Sequence, residues 1–96
     1  LVMIEVEPEH EADFNRWYNE EHVPERLSVP GFLNARRFVA IEGEPKYLAL
    51  YDLESPEVLE SEAYKKLLAG TPWTNATKQH WIRSIRNVYR EIPTTP

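Results

Sequence analysis

The segment Phe14-Asn15-Arg16-Trp17-Tyr18-Asn19-Glu20-Glu21-His22-Val23-Pro24, closed by Pro30-Gly31-Phe32, decides the reading of this chain. Phe14, Trp17, Tyr18 and either Glu21 or His22 recur at i, i+3, i+4 and i+7 or i+8, which places them on one face of a helix. Acids gather from Glu9 onward, where the helix dipole favours negative charge. Pro24 lacks a backbone donor and restricts Val23, so the helix is predicted to run from Glu9 to His22 and to stop there, or to turn once more through Leu27. Val29-Pro30-Gly31 then reads as a turn that launches a strand.

Upstream, Leu1 to Glu7 is rich in β-branched residues and reads as a strand ended by Pro8. Downstream, Phe32 to Ile41 and Lys46 to Leu53 read as a hairpin joined by Glu42-Gly43-Glu44-Pro45. With Ile41 opposite Lys46, Phe38 faces Ala49 and Arg36 faces Tyr51. The period of two then gathers Asn34, Arg36, Phe38, Ala40, Tyr47 and Tyr51 on one side of the sheet. Val39, Ile41, Leu48 and Leu50 form an aliphatic opposite side, expected to lie under helices. A one-residue change of pairing would exchange Arg36 for Arg37.

Ser55-Pro56-Glu57 has the features of a helix start, and Val58, Leu59, Tyr64, Leu67 and Leu68 would line the buried side of a helix ending at Gly70 and Pro72. Trp73 to Trp81 is read as helical, with Trp73, Thr77, His80 and Trp81 on one side. Ile82 to Ile92 is read as the last strand. The order is strand, helix, strand, strand, helix, strand, the βαββαβ pattern of a ferredoxin-like α+β fold with a four-stranded antiparallel sheet. Residues 1–92 form one domain in this reading, and 93–96 a short tail.

Composition narrows the classes of function. Ninety-six residues give room for one domain that buries a modest share of its surface, which favours help from a second copy. Apolar residues at 42% and aromatics at 11% supply enough buried area to exclude a disordered chain. A net charge of −5, with its basic residues scattered, argues against binding nucleic acid through phosphates. Nothing approaches the roughly 18 consecutive apolar residues that a membrane span needs, and no signal-peptide pattern is visible. The absence of cysteine excludes disulfides and thiolate chemistry. The chain is read as cytoplasmic, and its abrupt Leu1-Val2-Met3-Ile4 opening suggests that a start methionine or a few leading residues are missing.

The aromatic–histidine–proline run, together with Ala35-Arg36-Arg37-Phe38 and Gly43-Glu44-Pro45-Lys46-Tyr47-Leu48-Ala49-Leu50-Tyr51, resembles the EthD-like group of the dimeric α/β-barrel superfamily. The resemblance implies a two-fold homodimer in which two sheets close into one barrel. Similar barrels include cyclases, isomerases and monooxygenases that need no metal. It also implies a site around a histidine in a Trp-Tyr-x-x-x-His-x-Pro context, which Trp17, Tyr18, His22 and Pro24 match. An exposed aromatic sheet face would serve the same dimer, since large apolar patches mark interfaces.

His22 is the leading candidate for general acid–base work, because imidazole titrates nearest neutrality. A charged histidine in a last helical turn is also favoured simply by the helix dipole. Arg36 and Tyr51 could together hold a carboxylate, phenolate or enolate oxygen; equally, they could be a rim ion pair and a tyrosine in the dimer seam. Trp17, Phe38, Tyr47 and Trp81 are candidate walls for a flat hydrophobic ligand, although a tryptophan stripe at helical spacing is more often core. His10 reads as solvated surface. No zinc, nucleotide or dinucleotide motif occurs, so no metal or cofactor is assigned. The expected function is proton transfer on a small hydrophobic carbonyl compound without a cofactor, in an isomerase, cyclase, lyase or monooxygenase. The alternative is a non-catalytic protein that binds such a molecule.

Overall fold

A computed structural model describes residues 1–95. Strands β1 (Val2–Val6), β2 (Phe32–Val39), β3 (Tyr47–Leu53) and β4 (Trp81–Arg86) form one antiparallel sheet in the order β2-β3-β1-β4. Helical segments connect β1 to β2 and β3 to β4, which is the split βαβ arrangement of a ferredoxin-like α+β fold. The molecule measures 44 × 36 × 18 Å, and its shortest dimension suits one sheet with a single helical layer. No helix among the described residues is long and apolar enough to cross a membrane.

The first connection is nearly continuous helix: a 3₁₀ turn at Pro8–His10, α1 (Glu11–Trp17), a π turn at Tyr18–His22, and α2 (Val23–Leu27). Of the two predicted outcomes at Pro24, the chain takes the extra turn. A regular ladder would press the proline ring on the Glu20 carbonyl and lack its donor. Instead, the Val23 amide reaches back five residues to the Tyr18 carbonyl, which widens the helix just before the proline. Phe14 and Trp17 are fully buried and Tyr18 nearly so, packing on Ile4, Val6 and Ala49 as the main core. A carboxylate oxygen of Glu21 accepts from Trp17 Nε1 at 3.0 Å and from Thr71 Oγ1 at 2.6 Å, tying this helix to the segment before α4 (Pro72–Lys78).

The hairpin corrects the predicted register by one residue. Arg37 pairs with Ala49, Arg36 with Leu50 and Ala35 with Tyr51, because the Ala40 amide bonds the Lys46 carbonyl at 2.7 Å across a five-residue loop rather than four. Arg37 therefore takes the place expected for Arg36. The two faces are exchanged as well: Tyr47, Ala49 and Tyr51 lie beneath the helices, packed with the α1 aromatics, while Phe38, Leu48 and Leu50 lie on the open face. Aromatic rings from helix and sheet fill the core against each other, with Phe14 5.2 Å from Tyr47 and 5.3 Å from Tyr18 between ring centroids.

The second connection is also broken up. A 3₁₀ turn at Pro56–Glu60 and the short α3 (Glu62–Lys65) replace one long helix, and they are divided at Ser61, whose backbone is extended and whose hydroxyl accepts from the Tyr64 amide. Val58 and Tyr64 are buried with Val29, as their spacing predicted, but Leu68 is exposed. Thr71 caps α4, which ends at Lys78, so Trp81 belongs to β4 and not to a helix. β4 stops at Arg86 rather than Ile92, and the bonds between Leu1 and Asn87 are its last. Of the predicted tail, residues 93–95 are exposed without regular structure and Pro96 lies outside the described residues.

β1 pairs with β3 only through Val2–Ile4. The sheet is consequently open between Leu50–Leu53 of β3 and the chain that follows Arg86.

Candidate functional site

A cleft of about 950 Å³ lies where that opening meets the gap between sheet and helices. His22 closes the π turn and Arg26 follows one turn later in α2, so both project from the same helical face into the cleft. Tyr51 and Trp81 reach it from the sheet, Tyr64 from α3, and Lys78 from the end of α4. A second recess, above Ala49 between Tyr18 and Tyr47, has no room even for water.

Four groups around this cleft are shielded from solvent without a hydrogen-bond partner among the described residues: His22 Nδ1, one Arg26 terminal nitrogen, the Tyr51 hydroxyl and Trp81 Nε1. Leaving such a group unsatisfied costs about 1–3 kcal/mol, so convergence of several calls for an explanation beyond packing. A ligand with a polar end is one such explanation. The Tyr18 hydroxyl is unpartnered as well. It lies close enough to Tyr51 for the two phenols to affect each other's titration, but without the geometry of a hydrogen bond.

Burial pushes the proton affinity of His22 down to a pKa of about 3, helped by the positive charges of Arg26, Lys78 and Arg37. At neutral pH the ring is an uncharged imidazole. It rests against Trp17, with centroids 4.5 Å apart, and edge-on to Tyr18 at 4.9 Å, which fixes its plane. Burial raises the Tyr51 pKa well above the usual phenol range, so this hydroxyl is a neutral donor. The Arg26 guanidinium lies 5.5 Å from the Tyr64 ring centroid. The site therefore combines a neutral base, a fixed cation, a phenol and an indole N–H.

The structure brings His22, Tyr51 and Trp81 together and places the other candidates elsewhere. Arg36 is on the open face, 5.9 Å above the Phe38 ring, and neither residue lines the cleft. Trp17 is fully buried, and its N–H is committed to Glu21 and Thr74. Tyr47 donates to Glu11 at 2.6 Å in a cluster with Lys46. Arg26, a cation of the site, was missed by sequence reasoning. Its signal was the i, i+4 spacing from His22, which is realised only in the second of the two outcomes expected at Pro24, a further turn through Leu27.

Comparison with curated proteins and with solved structures gives no match. Over residues 1–69, which exclude α4 and β4, the sequence matches the family model described as Domain of unknown function (DUF4286), and the chain belongs to that family.

Proposed function

We propose that the chain is a cofactor-independent proton-transfer enzyme for a small hydrophobic carbonyl compound, held in the cleft beside His22. That four residues lining one cleft, His22, Arg26, Tyr51 and Trp81, each carry a buried polar atom without a hydrogen-bond partner carries this reading. In the proposed step the His22 imidazole takes a proton from the carbon next to the carbonyl, and the electron pair moves to the carbonyl oxygen. Arg26 and Tyr51 donate to the resulting enolate oxygen. An imidazole with so low a proton affinity is a weak base in the empty site. An enolate beside Arg26 would offset one of the charges that depress it, so base strength would grow as the transition state is approached.

The same depressed affinity favours a second reading, a non-catalytic protein that binds such a molecule without turning it over. Deuterium exchange separates the two. Aromatic and polyketide-like carbonyl compounds identified by mass spectrometry of the purified protein would be incubated with it in heavy water. Catalysed exchange at the α-carbon that is lost in His22→Gln and Arg26→Met supports the enzyme. Tight binding without exchange supports the binding protein, and no bound or binding compound at all overturns both.

The proposal includes a cytoplasmic homodimer formed through the open sheet face, of the kind the EthD-like resemblance implies. A monomer of 11.3 kDa is expected to expose about 5,700 Å². This chain exposes 6727 Å². The excess is comparable to one side of a standard interface, roughly 800 Å² per partner. Phe38 is 45% exposed on that face, beside Leu48, which supports burial there.

A further inference from the structure

Just beyond the Val6 end of β1, three metal-ligating side chains from distant parts of the sequence converge. Glu7 follows β1, His10 ends the 3₁₀ turn, and His80 lies between α4 and β4. Each offers one ligand atom, and these atoms all lie within 4.8 Å of one another. The backbone holds the cluster in place: the Glu7 amide donates to the His80 carbonyl at 2.9 Å, and the His10 amide to the Glu7 carbonyl at 2.9 Å. All three residues are partly buried, so their side chains are confined yet reachable from solvent.

The two imidazoles stack face to face, with centroids 3.4 Å apart and planes 11° from parallel. His80 Nδ1 lies 3.6 Å from a Glu7 carboxylate oxygen. Donor atoms bound tetrahedrally to one zinc ion at about 2.0–2.1 Å sit about 3.3 Å from each other. The His80–Glu7 pair is close to that spacing already, and all three donor atoms lie within 4.8 Å of one another. Parallel ring planes do not aim both lone pairs at one point, but a rotation about the broad terminal torsion of each histidine would do so.

We infer that Glu7, His10 and His80 form a binding site for a late first-row divalent cation of the zinc class. Two imidazole nitrogens and one carboxylate oxygen suit zinc, nickel or cobalt, whereas magnesium and calcium prefer all-oxygen shells. Three protein ligands leave a fourth position for water or an external donor. The ion would clamp the start of the first helical layer to the start of β4, joining chain positions that are far apart in sequence.

The test is titration of untagged full-length chain with zinc chloride by calorimetry and with cobalt chloride by visible absorption. Saturable binding of one ion per chain is expected, with a tetrahedral cobalt spectrum and a higher melting temperature in zinc. Binding weakens by at least about tenfold in His10→Ala and in His80→Ala. Because His80 sits in the turn between α4 and β4, Glu7→Gln serves as a milder variant, and it too weakens binding. His22→Gln binds as the unaltered chain does. Absence of saturable binding, or full affinity in either His10→Ala or Glu7→Gln, overturns the site.

Discussion

The guanidinium carbon of Arg37 lies 4.4 Å from the centroid of the Tyr18 ring, and its two terminal nitrogens donate to Asn15 at 2.7 Å and to Asn19 at 3.0 Å. One side chain of β2 is thereby locked to the helix that carries His22. Arg37→Met is expected to cost about 2 kcal/mol, because a partly desolvated cation–ring contact and two hydrogen bonds are lost together. Arg36→Met, on the open face, is expected to stay within about 0.5 kcal/mol. Urea denaturation of both variants checks this, and a larger loss for Arg36 would contradict the hairpin register.

His22 should make the fold sensitive to acid. Its folded pKa of about 3 lies below the ordinary imidazole value of 6.5, so below the higher value the unfolded chain binds a proton that the folded chain refuses. Its contribution is intact above pH 6.5 and is lost as pH falls toward 3, with a slope of at most about 1.4 kcal/mol per pH unit. Chemical denaturation at pH 7 and pH 5 should show a smaller drop in His22→Gln than in the unaltered chain. Equal drops would mean that the ring is not desolvated.

Gly31 and Gly43 both adopt positive φ, at +99° and +93°, but their surroundings differ. A Cβ on Gly31 would collide with the Val58 side chain, whereas nothing lies within 4 Å of the same position on Gly43. Gly31→Ala is expected to cost at least about 3 kcal/mol from strain and overlap combined, and Gly43→Ala about 1 kcal/mol from strain alone. Thermal melts of the two variants rank them. The Gly31 turn leads into β2, so its loss would also loosen the hairpin.

Met3, Phe38 and Leu48 are neighbours on the open sheet face by their pairing. For a dimer closed through this face, Leu48→Glu is expected to shift sedimentation from two copies to one without unfolding the protomer. A chain that sediments as a monomer before any substitution removes the dimer from the proposal.

Much of this architecture could be read from residue order. Phe14, Trp17 and Tyr18 announced one helical face by their spacing, although Trp17 was taken for a ligand wall and is core, and the runs around Arg36 and Leu48 announced a hairpin, because burial imposes those periods. What failed were quantities that depend on one residue more or less. The pairing between Ala40 and Lys46 moved Arg37 under the helix, and an assumption that aliphatic residues face helices put Tyr47 and Tyr51 on the wrong side. In the candidate site His22, Tyr51 and Trp81 were legible, while Arg26 required knowing that the helix survives Pro24. Glu7, His10 and His80 could not be associated from sequence, since only the pairing of β1 with β4 brings them together.

The widened turn at Tyr18–His22 sets two rotational phases within a single rod. Aromatic residues before it are aligned with the hydrophobic interior, whereas His22 and Arg26 beyond it are aligned with the cleft. Excising Asn19 would let the rod wind uniformly with little rotation of His22 and Arg26, because the wide turn holds one residue more than an α turn, whereas excising a residue from the regular helix before it would swing everything downstream by about 100°.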